Sequence, residues 1–110
     1  MQTRSTEDVR VHLSEVIDDT LGGLGPIVVT SYRKEFAVAL TEELWAELIQ
    51  VVPRDPAAGA VVELAHRDRL GEAWSNVRKG RTVRLKRWQD TIIFAPYSWF
   101  MEASSAQCAS

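Results

Sequence analysis

The sequence predicts an α+β domain built as two similar units in tandem, each a strand, a helix, a β-hairpin and a second helix. Three observations predict it. Apolar residues recur at helical spacing in two segments, Val9 to Leu21 and Leu70 to Val77. Runs of β-branched residues occur in hairpin-like pairs, once in each half. A Pro-rich stretch separates the halves, and the same order of elements stands on both sides of it. A unit of about 50 residues buries too little surface to be comfortable alone. The two units are therefore expected to pack on each other as a single-chain pseudo-dimer.

The first unit, residues 1–52, opens with a short extended segment, Gln2 to Arg4. Ser5 and Asp8 have the spacing of a capping box, and Val9, Leu13, Val16, Ile17, Thr20 and Leu21 then form one apolar stripe. Gly22-Gly23-Leu24-Gly25-Pro26 stops that helix. Ile27 to Tyr32 reads as a strand, Arg33-Lys34-Glu35 as its connection, and Phe36 to Leu40 as the return strand. Thr41 is an N-cap with Glu42 and Glu43 in the first turn, where the helix dipole favours acids. Leu44, Leu48 and Val51 mark the buried face of this helix, with Trp45, Ile49 and Val52 beside it.

Residues 53–59 read as a linker, because two prolines end the helix and small residues follow. The second unit, residues 60–103, repeats the order. Ala60 to Leu64 reads as a strand, Leu70, Ala73, Trp74 and Val77 as a helical stripe, and Gly80 as its stop. Thr82 to Arg87 and Thr91 to Ala95 read as a hairpin turning at Trp88-Gln89-Asp90. Pro96 opens a last helix over Tyr97 to Ala103. Residues 104–110 are small and polar and read as a frayed tail. Arg10 with Arg67, Leu13 with Leu70, and Glu15 with Glu72 keep one offset, and Gly25 with Gly80 and Val28 with Val83 keep another.

Composition excludes several classes. Leu, Ile, Val and Phe make up 29 of 110 residues, which is enough for a folded core. No apolar run approaches the roughly 20 residues of a membrane span, and residues 1–8 carry no signal core. Cys108 is the sole cysteine, so no internal disulfide forms and a cytoplasmic location is expected. The net charge of -2 hides a balance of -5 over residues 1–60 and +3 over residues 61–110. A basic half on an acidic chain points to a polyanion partner.

The series Ser5-Thr6-Glu7-Asp8-Val9-Arg10-Val11-His12-Leu13-Ser14-Glu15-Val16-Ile17, a Gly-rich loop, Pro26-Ile27-Val28-Val29-Thr30, and Phe36-Ala37-Val38-Ala39-Leu40-Thr41-Glu42-Glu43-Leu44 resembles the prevent-host-death (Phd/YefM-like) antitoxin family. The resemblance covers residues 2 to about 50, and Leu64 to Phe100 is similar to a degenerate second copy. It implies a small dimerisation and DNA-binding domain that represses its own operon and neutralises a toxin through a following segment. The family's first-helix Arg falls on Arg10, and on Arg67 in the second unit. Its basic residue at the end of the second strand falls on Ser31, a departure, and on Lys86, which fits. A linker and a second unit follow the first unit, in the place where the toxin-binding segment would stand.

The residues expected to carry function follow. Arg84 and Lys86 share one face of a strand, with Arg87 after them and Arg78, Lys79 and Arg81 before them. Guanidinium and ammonium groups clustered in this way suit phosphate oxygens. Arg10, Arg67, Arg84, Lys86 and Arg87 are therefore the expected contacts to duplex DNA at an operator. Trp88, at a turn, together with Tyr97, Trp99 and Phe100 of the last helix, is the expected surface for a protein partner such as a cognate toxin. The same tryptophans and the last helix also read as packing between the units. His12 and His66 have no ligand-spaced Cys or His, and no Ser, His and Asp arrangement is present. Neither an enzyme, a metal site nor a cofactor is expected. The reading is an antitoxin-type DNA-binding transcription regulator, either a pseudo-dimeric monomer or a homodimer. Its alternative is a protein-binding module on the same scaffold without DNA contact.

Overall fold

The computed structural model describes residues 2–23, 25–51, 61–63 and 69–109, with backbone only at 61–63 and 107–109. The expected linker and Arg67 lie outside the described residues. In chain order the elements are β1 (Gln2–Ser5), α1 (Thr6–Val11), α2 (Leu13–Leu21), β2 (Ile27–Ser31), β3 (Lys34–Thr41), α3 (Glu42–Val51), β4 (Val61–Glu63), α4 (Leu70–Arg78), β5 (Val83–Arg87), β6 (Asp90–Pro96) and α5 (Tyr97–Ala109). The fold class is α+β, as the sequence predicts.

The strands form one mixed sheet in the order β1-β2-β3-β6-β5-β4. The outermost pairs, β1·β2 and β4·β5, are parallel, and the three inner pairs are antiparallel. The order and the sense of pairing therefore read the same from either edge. At the centre, β3 and β6 pair from Ala37↔Pro96 to Thr41↔Ile92, with Ala39 opposite Phe94.

Alternation along the strands supplies two apolar faces. Ile27, Val29, Ala37, Ala39, Val83, Leu85, Ile92 and Phe94 pack with Val9 of α1, with Leu13, Val16 and Ile17 of α2, and with Leu70, Ala73, Trp74 and Val77 of α4. Val38, Leu40, Ile93 and Ala95 face the other way, against Leu48 of α3 and Trp99, Phe100 and Ala103 of α5. The sheet is thus covered on both sides. The radius of gyration, 12.7 Å, is that of one compact body of this length rather than two beads on a tether.

Local chemistry accounts for most boundaries. The Ser5 hydroxyl accepts from the Asp8 amide at 3.0 Å, which starts α1. The single helix expected over Val9 to Leu21 is interrupted at His12, whose backbone leaves the helical region (φ -116°, ψ 41°). The Asp8–His12 and His12–Val16 backbone bonds persist across it, so the interruption is a bend that keeps Val9 and Leu13 on the same core. The Thr41 hydroxyl accepts from the Leu44 amide at 3.2 Å and starts α3. Thr41→Ala is expected to lower stability by about 1 kcal/mol, read as a shift of the denaturant midpoint at constant slope.

Other boundaries differ from expectation. Both hairpins turn on two residues instead of three, because Lys34 pairs with Ser31 and Asp90 with Arg87. In the first hairpin the register shifts by one between Val29 and Thr30, which leaves Phe36 unpaired. Such a bulge puts consecutive residues on one face, and both Phe36 and Ala37 lie on the α4 side. Pro96 ends β6 rather than opening the last helix. β5 pairs with β6 only as far as Phe94, so the missing N–H of Pro96 faces no strand there. The expected frayed tail is helical through Ala109. No Gly or Pro follows Pro96, and buried Ala103 anchors the middle of α5. Among the described residues no helix is long and apolar enough to cross a membrane.

Candidate nucleic-acid interface

The expected DNA contacts do not form one patch. Arg10, on the exposed side of α1, is paired with Glu7 through both its Nε and a terminal nitrogen. That pairing holds the Glu7 carboxyl below its ordinary range and the Arg10 guanidinium above its own. Arg84 lies on the α3 side of the sheet, its guanidinium carbon 4.9 Å from the Trp45 ring centroid. Lys86 is exposed on that same side by alternation.

Arg87 points to the opposite side and is engaged. It donates to Asp18 at 2.6 Å, to Asp90 at 2.9 Å and to the Ser14 carbonyl at 3.3 Å. The Asp18 bond, then the Asp90 bond, hold its pKa above the ordinary value. Arg87 therefore fastens α2 of the first half to the β5–β6 hairpin of the second. Arg87→Ala is expected to lower the midpoint of chemical denaturation while leaving nucleic-acid affinity unchanged. The effect is modest, because Asp18 is 65% exposed and water screens the pair.

Arg4 serves a similar purpose at the sheet edge. It donates to Asp8, Glu15 and Asp19 at 3.0 to 3.3 Å, tying β1 to α1 and α2. Of the residues expected to meet a protein partner, Trp99 and Phe100 are buried beneath α3, and Tyr97 is half-buried. Trp88 alone stands clear, 89% exposed at the tip of the second hairpin.

A different set of cations comes together at the tip of the first hairpin. Trp74 of α4 meets Phe94 edge-on at 5.0 Å and Phe36 at 5.8 Å. Arg78 lies over the Phe36 ring at 5.3 Å. These contacts seat the C-terminal end of α4 against the base of the β2–β3 hairpin. That puts Arg78, Lys79 and Arg81 at the same end of the sheet as Arg33 and Lys34 of the turn, and all five are exposed. None of the five pairs with a carboxylate among the described residues. The Arg81 guanidinium donates to the Asn76 side-chain oxygen at 3.3 Å, and its amide to the Asn76 carbonyl at 3.0 Å. Part of this is helix chemistry, since cations suit a helix C-terminus. That does not account for Arg33 and Lys34. A groove of about 540 Å³ runs alongside, lined by Phe36, Val77, Arg78, Pro96, Tyr97 and Met101 among others, with Glu35 its one acid.

The other end of the molecule has the opposite sign. β3 and β6 are antiparallel, so the two hairpin tips point away from each other. Around Trp88 stand Asp18 and Asp90, both bonded to Arg87. The first turn of α3, with Glu42 and Glu43, follows Thr41, which pairs with Ile92, two residues from Asp90. Among the described residues, the Trp88 tip thus gathers Asp18, Asp90, Glu42 and Glu43 beside Lys86 and Arg87, and the Tyr32 tip gathers the five cations with Glu35.

Both halves of the basic cluster are visible in the sequence, as Arg33-Lys34 and as Arg78-Lys79-Gly80-Arg81. Their meeting depends on the Phe36 bulge and on Trp74, and no local pattern announces that. Comparison with protein-family models, curated proteins and solved structures gave no match.

Proposed function

We propose that the chain is an antitoxin-type DNA-binding transcription regulator, in which two tandem units pack as a single-chain pseudo-dimer. The observation that carries the DNA reading is the set of five exposed cations, Arg33, Lys34, Arg78, Lys79 and Arg81, at one end of an otherwise acidic protein and without carboxylate partners among the described residues. The mirrored sheet order supports the tandem arrangement. So do the matched buried positions Leu13 and Leu70, Val16 and Ala73, Ile17 and Trp74, and Thr20 and Val77. Phosphate contacts fix register and orientation on a duplex. The acidic end is repelled by DNA, so only the Tyr32 end docks and the preferred site is asymmetric.

The test is a titration against DNA from immediately upstream of the gene, with a scrambled duplex beside it, at two salt concentrations. Each phosphate neutralised contributes about -0.9 to the slope of log affinity against log salt. The double variant Lys79→Ala with Arg81→Ala is expected to weaken binding and flatten that slope by about 2. Lys86→Ala, on the other side of the sheet, is expected to change neither. Absence of binding at both salts would remove the DNA reading.

One observation favours the second reading, a protein-binding module without DNA contact. A tryptophan exposed at a hairpin tip is a ready hot spot. That reading expects stable co-purification with an adjacent-gene product such as a toxin, lost in Trp88→Ala and kept in the Lys79→Ala, Arg81→Ala double variant.

A further inference from the structure

We propose that the Tyr32–Arg33 turn enters a groove of duplex DNA, and that the Tyr32 ring is the wedge that meets the bases. This rests on the DNA reading above and names the residue that would give that site its sequence preference.

The turn is an unusual place for these residues. Both have positive φ, 51° at Tyr32 and 66° at Arg33. A two-residue hairpin with both central residues in this region ordinarily takes Asn-Gly, because a bulky side chain there is strained. Nothing in the fold offsets the strain at Tyr32. Its side chain is 95% exposed, it packs on no core residue, and its hydroxyl has no partner among the described residues. The two-residue turn sets the positive φ, so the strain lies in the choice of a bulky residue for it, and strained positions of this kind cluster at functional sites.

The surroundings match the role. Arg33 and Lys34 follow the ring in the chain, and Arg78 at the end of α4, with Lys79 and Arg81 just after it, lies over Phe36 at the same end of the sheet. Cations at that end hold phosphates while the ring projects. The tip of a two-stranded ribbon is narrow enough for a groove. A side chain that wedges into a duplex unstacks a base step, and pyrimidine–purine steps yield most readily. The chain should therefore prefer a TA step to an A-tract of the same length. Trp88 is the internal control. It occupies the same turn position with φ 54°, and it sits at the acidic end.

The experiment uses the full chain and two duplexes, one with a central TA step and one with an A-tract, each carrying 2-aminopurine beside the centre. Wild type is expected to bind the TA duplex more tightly and to brighten the probe as the base unstacks. Tyr32→Ala is expected to lose the brightening and to bind that duplex about tenfold more weakly, in the range found for lost base–aromatic contacts. Its salt slope should stay unchanged, since no phosphate contact is removed. Tyr32→Gly should bind as Tyr32→Ala does, yet unfold at a higher temperature because glycine accepts φ 51° without strain. Trp88→Ala should behave as wild type. If Tyr32→Ala keeps the step preference and the brightening, the wedge is overturned and the phosphate reading stands. If wild type binds neither duplex, the DNA reading falls and the wedge with it.

Discussion

Replacing Phe94 by alanine is expected to cost about 3–5 kcal/mol, the range for deleting a buried aromatic from a packed core. Phe94 is fully buried in β6, one of the two central strands. Its ring meets Trp74 edge-on at 5.0 Å, and Trp74 in turn meets Phe36 at 5.8 Å. The residues around it cannot fill the void. Its partner across the β3·β6 seam is Ala39, and Ala37 and Ala73 line the same core. Small side chains have no volume to move inward, so most of the cavity persists. A domain of this size is stable by about 5–15 kcal/mol in all, so the loss would leave a marginal protein. Loss of Phe94 also withdraws the support that seats α4 on the Phe36 bulge. Urea denaturation followed by tryptophan emission and by circular dichroism checks this. Phe94→Leu should lose far less, and a loss below about 1 kcal/mol in Phe94→Ala would mean that the helices close over the gap.

Sequence patterns carried the elements well wherever one residue type has one physical consequence. Leu70, Ala73, Trp74 and Val77 can share a face only on a helix, and all four are buried in α4. Ser5 and Thr41 are caps because their hydroxyls accept from the Asp8 and Leu44 amides. Gly23 and Gly80 end α2 and α4 at φ 85° and 83°, where a side chain would be strained. Patterns failed where a distant partner decides. Arg87 reads as a free phosphate contact until Asp18, far back in the chain, is placed against it. Trp99 and Phe100 read as a partner surface until α3 covers them. The Tyr32–Arg33 turn carries no Gly or Asn to announce positive φ, so the sequence pattern sets the connection at Arg33-Lys34-Glu35 and gives no sign of the bulge at Phe36. That same bulge turns Phe36 onto Trp74 and Arg78, at the end of the sheet where Arg33 and Lys34 stand. The elements were legible and the basic end was not, because its two parts lie far apart in sequence and meet only through Trp74 and Phe36.

Expressed separately, residues 1–51 and 61–110 are each expected to remain unfolded, and to fold when mixed at equal concentration. Among the described residues the only strand pairing that joins the halves is β3 with β6, from Ala37↔Pro96 to Thr41↔Ile92. Without it Val38 and Leu40, now fully buried, would line an open apolar edge. The cores do not divide either. Trp74 and Phe94 of the second half pack with residues of the first, and Leu48 of α3 packs with Trp99 and Phe100 of α5. Each fragment would keep about half of a core whose whole belongs to a small domain. Pairing of a fragment with itself is also disfavoured in the native register. Ala39 faces Phe94 across the seam, so one fragment would set alanine against alanine and leave a void, while the other would set one phenylalanine against another. Arg87 adds a cross-link that neither fragment has alone, since its partner Asp18 belongs to the first half. Circular dichroism of each fragment and of the mixture, with the unfolding midpoint followed against total concentration, tests this. A concentration-dependent midpoint in the mixture alone is the expected result. Cooperative unfolding of either fragment by itself would show that a half carries its own core, and that the large-to-small match at Ala39 and Phe94 is not what holds the two together.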